Sequence, residues 1–433
     1  MELLQSLLLG LIGVIGIPSL FLLSWVIYYD LSRSKIPSGF DSPLKLRGLH
    51  CSNQEFCLLY VDDILYACKT DKLKGLLSNC QALLTEKLGI CHLHETLRIL
   101  IEGIPPKKNS RLIIKDLVFD EVPVRLYCLN SPLSENRRGI VYLHGGIGVL
   151  GSIRSSERFS RCLALESDSV VVSVGFRLAP EHLFPVAIQD CCTAATHFLK
   201  NAKEYGVDPS RIVIGGDSSG GTFAAAVCQI LVARKDIPRV RAQFLIYPFL
   251  QAVDFNLPSH QQNHSVILFF NKWAIRLATQ FFTGKRAQDV DGILKGSHVP
   301  DDMWVKYRKW ICADNIPEEF KVRGYRPIGR APFSEKLYEA SRSGLEAMFS
   351  PLIAEDCVIQ ELPETFILTC EYCPYRDDGL LYKKRLEDNG VQVTWHHIPD
   401  GFHGILLLFG QGPLEFPSSR AFMQHLINFL ERF

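Results

Sequence analysis

Residues 216–220 read Gly-Asp-Ser-Ser-Gly and have the Gly-x-Ser-x-Gly spacing of a nucleophilic serine. The apolar run at 211–215 predicts a strand before the motif, and residues 220–233 predict a helix after it. A sharp strand-to-helix turn needs glycines beside the serine, because a Cβ atom does not fit there. The pattern therefore predicts that Ser218 is a nucleophile raised above the edge of a sheet.

A second pattern, His144-Gly145-Gly146, lies at the end of another predicted strand. Acyl transfer passes through a tetrahedral oxyanion that backbone N–H groups must stabilise, and glycines let the backbone approach closely. We predict an oxyanion hole formed by the N–H groups of Gly145, Gly146 and Ser219.

The third pattern is Asp400-Gly401-Phe402-His403-Gly404, close to the carboxyl end of the sequence. A histidine between small residues after a late strand suits a general base that takes the proton of Ser218. We predict His403 in that role, and we interpret His396 and His397 as structural residues of the preceding strand.

The overall composition argues against several other functions. The chain has 433 residues and a formal net charge of +1, so no strong field attracts nucleic acid. It contains no Walker loop and no zinc-spaced Cys/His cluster. We predict neither a cofactor nor a metal.

Strand and helix patterns alternate from residue 111 onward and predict a mostly parallel sheet. Strands are predicted at 118–129, 138–143, 169–176, 211–215, 243–247, 365–370 and 391–395, and helices at 184–205, 220–233, 378–389 and 418–433. An aromatic, helix-rich stretch at about 250–350 resembles a cap inserted above the sheet. We predict a catalytic domain over 111–433 and a linker with an N-terminal cap segment over 30–110.

The sequence also predicts a transmembrane signal anchor at 3–29, because this stretch is apolar and uncharged. No basic region precedes it and no small-residue cleavage site follows, which disfavours a cleaved signal peptide. Basic residues after the stretch favour a cytosolic domain, whereas a sequon at Asn263 favours glycosylation in a lumen.

These motifs resemble the arylacetamide deacetylase family, within the hormone-sensitive-lipase group of α/β-hydrolases. The resemblance also rests on residues 177–182 (Arg-Leu-Ala-Pro-Glu-His), 350–352 (Ser-Pro-Leu) and 376–379 (Arg-Asp-Asp-Gly). It implies an α/β-hydrolase fold with a helical cap, and a serine hydrolase for short acyl esters, arylacetamides or lipid esters. It further implies a type II anchor in the endoplasmic reticulum with a lumenal catalytic domain, and we let this outweigh the basic residues.

The sequence departs from the family at two positions. Ile147 replaces the third glycine of the oxyanion loop, and Cys373 occupies the slot of the triad aspartate. A neutral thiol is a poor partner for an imidazolium, and loss of the aspartate's function costs about 10⁴-fold in turnover in serine proteases.

Three outcomes of the Cys373 substitution stay open. Asp377 or Asp400 reorients His403, the chain works slowly as a Ser-His dyad, or it binds lipids or esters without hydrolysing them. Cys370 and Cys373 also form a C-x-x-C pair, which we interpret as two unlinked thiols rather than a disulfide.

Overall fold

A computed structural model describes residues 93–102, 105–131, 136–263, 271–412 and 415–433. All but the first of these residues belong to one compact unit, His94–Phe433. The predicted anchor at 3–29, and the part of the predicted linker before residue 93, lie outside the described residues. Within the described residues, no helix combines the length and the apolar character that a membrane span needs.

Eight strands of the described chain form one sheet, with the order β1-β2-β4-β3-β5-β6-β7-β8. The strands are β1 (Leu112–Phe119), β2 (Val122–Leu129), β3 (Arg137–Leu143), β4 (Ser169–Val174), β5 (Val207–Asp217), β6 (Ala242–Ile246), β7 (Glu364–Tyr372) and β8 (Val393–Phe402). Strand β2 pairs antiparallel with β1 and β4, and the remaining neighbours pair in parallel. The predicted mostly parallel sheet of an α/β-hydrolase is therefore confirmed.

The helices connect these strands. They are α1 (Leu93–Glu102), α2 (Glu157–Ser167), α3 (Val186–Lys200), α4 (Ser219–Leu231), α5 (Pro258–Asn263), α6 (Asn271–Thr283), α7 (Val290–Leu294), α8 (Asp301–Ile311), α9 (Glu335–Ser341), α10 (Asp356–Ile359), α11 (Arg376–Asp388) and α12 (Pro417–Leu430). Helix α4 contacts β5 and β6, α11 contacts β7, and α12 contacts β8.

The single strand predicted at 118–129 is wrong, because the structure has a hairpin there. Asp120 and Glu121 form a two-residue turn in which φ is +45° and +72°. Positive φ at both central positions matches the right-handed twist of paired strands. The sequence Asp-Glu lacks the Asn or Gly that usually marks such a turn. The apolar and polar residues at 118–129 therefore suggested one continuous strand.

Helices α5 to α9 follow β6 and precede α10 and β7, within the stretch predicted as a cap. Four buried residues join α6, α7 and α9 in a small apolar cluster: Ile275, Val290, Ile293 and Leu337. This separate cluster gives the inserted segment a core of its own beside that of the sheet.

The carboxyl ends of four parallel strands meet at one edge of the sheet. Strand β3 ends before His144, β5 before Ser218, β7 before Cys373, and β8 before His403. In open α/β sheets this edge is where ligands bind. The topology therefore gathers the residues singled out in the sequence.

Candidate active site

Ser218 forms the turn between β5 and α4, with φ of +55° and ψ of −124°. A Cβ atom at Gly216 would lie 2.4 Å from the carbonyl oxygen of Leu143, and one at Gly220 would lie 2.1 Å from the same atom. The close approach of β3 therefore requires glycine at both positions of the motif. Strained backbone of this kind is characteristic of catalytic turns.

The hydroxyl of Ser218 contacts the imidazole of His403. Ser218 Oγ lies 2.9 Å from Nε2 of His403, although the two residues are 185 positions apart in the chain. This is the hydrogen-bond distance that transfer of the serine proton requires. The structure thus brings the predicted nucleophile and the predicted base together.

His403 is deeply buried, with 2% of its surface exposed. Tyr247 and Tyr375 contact the imidazole edge-on, each with its ring centroid 5.0 Å away. Burial lowers the pKa of His403 to about 3, because an apolar surrounding disfavours the charged ring. At neutral pH the ring is therefore neutral, which is the form that accepts a proton.

Cys373 occupies the far side of the imidazole, where a triad acid would lie. Its Sγ is 3.2 Å from Nδ1 of His403, and it also accepts a hydrogen bond from the N–H of Tyr375 at 3.3 Å. Burial raises the pKa of the Cys373 thiol well above its usual value, and the neighbouring Cys370 adds to this. The thiol is uncharged at neutral pH and supplies no negative charge to His403.

Asp377 is engaged elsewhere in the structure. Its carboxylate accepts hydrogen bonds from Nε of Arg376 at 2.9 Å and from the N–H of Ser259 at 2.6 Å. Asp400 lies near Cys370 and contributes to the raised pKa of that thiol, after burial. Cys370 and Cys373 are both free thiols, so the pair is unlinked as we interpreted it.

The oxyanion loop is held by Asp217, the residue before the nucleophile. Oδ1 of Asp217 accepts hydrogen bonds from the N–H of Gly145 at 3.0 Å and from the hydroxyl of Tyr142 at 2.6 Å. The N–H of Gly145 is therefore already engaged, which disfavours its predicted place in an oxyanion hole. The motif did not reveal this, because the direction of a peptide group depends on its partner in space.

Ile147, two residues after Gly145 in the oxyanion loop, adopts a φ of +59°, which is strained for a β-branched side chain. Its N–H donates to Oγ of Ser219 at 2.7 Å and so points toward the elbow. Like the N–H of Gly145, this N–H is therefore already engaged within the protein. The sequence did not reveal the contact, because residue 147 stood out only as a replaced glycine. The roles of the Gly146 and Ser219 N–H groups remain predictions.

Ser218 and His403 open into one deep pocket. Aromatic and aliphatic side chains dominate its walls, among them Phe249, Phe255, Phe282, Phe349, Leu150 and Phe409. Pockets of this kind bury apolar ligands and fix them with a few polar groups. The arrangement suits an acyl or aryl group near the serine.

Helix α1 contributes a wall of this pocket through Ile101. Arg98 of α1 binds both carboxylate oxygens of Glu181, at 2.8 and 2.9 Å, and donates to the carbonyls of Val149 and Ala179. The hydrogen bonds from Arg98 lower the pKa of Glu181 to about 2. Glu181 belongs to a motif noted in the sequence, but its partner was not predictable from that motif.

The structure contradicts the predicted glycosylation of Asn263, whose surface is 1% exposed. Its amide nitrogen donates to the carbonyls of Glu371 and Cys373, and its oxygen accepts from Arg323. No space remains for a glycan on this nitrogen. The amide instead braces the loop that carries Cys373.

The sheet, the elbow and the Ser-His pair define the chain as a serine hydrolase of the α/β-hydrolase class. A family profile described as the alpha/beta hydrolase fold matches residues 140–294 and 330–407. Solved esterases share the fold: one from the archaeon Pyrobaculum calidifontis is 23% identical with a TM-score of 0.57, covering 78% of this chain and 89% of its own. A bacterial heroin esterase is 23% identical with a TM-score of 0.56, with the same coverage.

Proteins with similar sequences identify the family within this class. Human arylacetamide deacetylase-like 4 is 41% identical over 426 residues, covering 97% of this chain and 98% of the relative. Bovine arylacetamide deacetylase is 38% identical over 340 residues, covering 76% and 84%. The chain belongs to the arylacetamide deacetylase family and is a carboxylesterase-type hydrolase.

Proposed function

We propose that this protein is a slow serine carboxylic-ester hydrolase, deacetylase-like or lipase-like, acting on lipophilic acyl esters or arylacetamides. The observation that carries the proposal is the 2.9 Å contact between Ser218 Oγ and His403 Nε2 at the base of an aromatic pocket. The names of the relatives support an ester or amide substrate.

The proposed reaction begins with transfer of the Ser218 proton to Nε2 of His403. The serine oxygen then bonds to the acyl carbon, and the carbonyl oxygen becomes an oxyanion stabilised by backbone N–H groups of the loop and the elbow. His403 returns the proton to the leaving alcohol or amine, which leaves an acyl group on Ser218. Water activated by His403 releases the acid and restores the serine.

The slow rate follows from the charge that develops on His403. Proton transfer creates an imidazolium in a site that already disfavours it, because burial lowers the pKa of this ring. The uncharged thiol of Cys373 does not offset the new charge. The transition state therefore lacks the stabilisation that a carboxylate at this position provides.

The same features favour a second candidate, a binding protein for lipids or esters without turnover. In that case the neutral Ser-His pair would only line the pocket. The intact contact between the two residues argues for hydrolysis.

A fluorophosphonate probe, which reacts with activated serines, tests the choice. We expect labelling of the full-length native protein in detergent and none of Ser218→Ala. Cys373→Asp should be labelled faster than the native protein. Cys373→Asn, whose side chain has the shape of aspartate but no charge, should be labelled at about the native rate. Labelling of Cys373→Asp alone would instead support the binding protein.

We further propose that residues 3–29 anchor the protein as a single-pass type II protein in the endoplasmic reticulum, with the catalytic domain in the lumen. The length and apolar character of this segment support an anchor, with the lipid bilayer as a partner. A lipophilic substrate fits such a location. The family resemblance supports the orientation.

A further inference from the structure

The hydroxyl of Ser219 connects the nucleophile turn to the oxyanion loop. Ser219 follows Ser218 directly, and its Oγ accepts the N–H of Ile147 at 2.7 Å. The residue is among those that line the pocket of Ser218. In α/β-hydrolases the oxyanion forms at this boundary, between the residue after the nucleophile and the loop after the strand that corresponds to β3. The hydroxyl therefore lies at the part of the site where negative charge develops.

The hydrogen bond from Ile147 uses the oxygen of this hydroxyl and leaves its proton to be donated. A serine hydroxyl donates one hydrogen bond and can accept as well. Within the described residues, the hydroxyl of Ser219 donates to no acceptor. Ser219 is only 3% exposed, and buried polar groups nearly always have partners. An oxygen atom of a bound ester is an acceptor that would complete this hydrogen bond.

The N–H of Ile147 makes the hydroxyl a stronger donor. An oxygen that accepts a hydrogen bond polarises its own O–H, so consecutive hydrogen bonds strengthen one another in a low-dielectric site. Gly146 and Ile147 hold this part of the loop at positive φ, +121° and +59°. Backbone strain of this kind clusters at functional sites. The strained loop thus donates to the one side chain that has a proton left to donate.

The oxyanion needs such a donor, because the loop has already used two of its own. The N–H of Gly145 donates to Oδ1 of Asp217 at 3.0 Å, and the N–H of Ile147 donates to Ser219. Donors that stabilise an oxyanion act best when they are fixed in place before the reaction. The hydroxyl is fixed in this way by Ile147 and by its position in the first turn of α4, a helix of 13 residues. The partial positive charge at the start of a helix also favours an anion there.

We infer that the side-chain hydroxyl of Ser219 is a catalytic oxyanion donor. Its O–H donates to the carbonyl oxygen of the bound ester, and the hydrogen bond strengthens as that oxygen becomes negative. The hydroxyl keeps its proton throughout, so proton transfer still runs only between Ser218, His403 and the leaving group. The inference rests on the proposed function, since it needs an ester that Ser218 attacks. It adds a side-chain donor to the backbone N–H groups of the site.

Ser219→Ala tests the inference, because it removes the hydroxyl and keeps the backbone N–H of residue 219. We expect kcat for a p-nitrophenyl ester to fall by about 10²-fold, as for the loss of one oxyanion donor, while KM changes little. The assay uses the full-length protein in detergent. Ser160→Ala is the matched control, because the hydroxyl of Ser160 is also buried but lies outside the pocket. It should keep the native kcat.

Two inhibitors separate a catalytic role from a structural one. An alkyl trifluoromethyl ketone adds to Ser218 and carries an oxyanion, whereas the ether with the same chain has no carbonyl oxygen. In Ser219→Ala the inhibition constant of the ketone should rise by about the factor that kcat loses. The inhibition constant of the ether should stay at the native value. A distorted pocket would instead weaken the binding of both compounds.

An unchanged or higher kcat in Ser219→Ala would overturn the inference, because the released N–H of Ile147 would then serve the oxyanion directly. Equal weakening of ketone and ether would also overturn it and leave Ser219 a structural role. The hydrolytic proposal fails on a different result, the absence of fluorophosphonate labelling of the native protein. The same comparison is then made in the Cys373→Asp background. An absence of hydrolysis there as well would remove the inference together with the hydrolase.

Discussion

Cys373 lies where the carboxylate of a triad is expected, and it differs from that carboxylate mainly in having no charge. Its sulfur lies 3.2 Å from the imidazole and accepts the N–H of Tyr375. An aspartate at this position would have the same two donors available. The local fold therefore retains the shape of a triad while it lacks the anion.

This leads to a prediction about the pH dependence of hydrolysis. Activity needs neutral His403, whose pKa burial lowers to about 3, so native kcat/KM should not fall until the pH is well below 6. In Cys373→Asp a carboxylate next to Nδ1 stabilises the imidazolium and raises that pKa, by roughly 1–3 units for a close opposite charge. We expect the acid limb to move to higher pH while kcat rises by up to about 10⁴-fold.

The pH profile of kcat/KM for a p-nitrophenyl ester measures both effects. Cys373→Asn is the control and should keep the native acid limb. An acid limb that stays in place in Cys373→Asp would show that His403 does not sense residue 373.

Residues whose role depends on local sequence were predictable. Ser218 and His403 have glycines close by that mark a turn, so both could be located from the sequence without knowledge of the fold. The engaged N–H of Gly145 and the buried amide of Asn263 escaped prediction, because the fold supplies their partners from distant parts of the sequence.

At the scale of elements, α1 is attached to the domain through several side chains, and Arg98 makes the largest set of its hydrogen bonds; Nε2 of His94 also lies 3.4 Å from Glu181, and Glu102 accepts from Ser152 Oγ at 3.1 Å. Arg98 joins it to Glu181 and to two main-chain carbonyls beside the oxyanion loop. The attachment places Ile101 in the pocket wall. The element therefore belongs to the site although it precedes the sheet in sequence.

Arg98→Ala should loosen α1 without unfolding the sheet. Loss of these hydrogen bonds removes about 1–2 kcal/mol of local stability, so amide exchange in α1 should accelerate by roughly 10-fold. KM for a lipophilic ester should rise as the wall at Ile101 moves. Hydrogen-exchange mass spectrometry and steady-state kinetics provide the two measurements.

Arg154→Ala is the matched control, because Arg154 pairs with Glu102 of the same helix at 3.5 Å while its side chain is 71% exposed. Exposed pairs contribute little, so α1 should exchange at the native rate in this variant. If the two substitutions accelerated exchange in α1 equally, the hydrogen bonds of Arg98 would stabilise the helix no more than an exposed ion pair does, and the prediction would be wrong.

The elements themselves were predictable to different degrees. Fully buried strands such as β4, which is rich in valine, stand out in the sequence. The β1–β2 hairpin did not, because its turn uses Asp120 and Glu121 at positive φ. The separate apolar cluster of the inserted helices also could not be predicted, since it depends on contacts between distant segments.

For the whole molecule, the orientation in the membrane can be tested with a new glycosylation site. Arg111→Thr creates Asn109-Ser110-Thr at an exposed part of the chain before β1. If the domain is lumenal, this variant should gain one glycan that an endoglycosidase removes. The native protein should carry none at Asn263, because that amide is buried.

The readout is a mobility shift of the full-length protein expressed in cells. Arg111→Ala serves as the control, since it removes the same charge without creating a sequon. An unshifted Arg111→Thr protein, digested by protease added to intact microsomes, would place the domain in the cytosol and overturn the proposed orientation.

The last strand of the sheet has a consequence for biosynthesis. His403 follows directly after β8, an edge strand that pairs only with β7 within the described sheet, and α12 comes after it in the chain. A nascent chain that has already folded β3, β5 and α4 holds the serine turn but no base. Chemical reactivity therefore arises only after β8 and the residues that follow it have left the ribosome and docked on the sheet. Products terminated before His403 would be inert toward esters even where the rest of the sheet has formed.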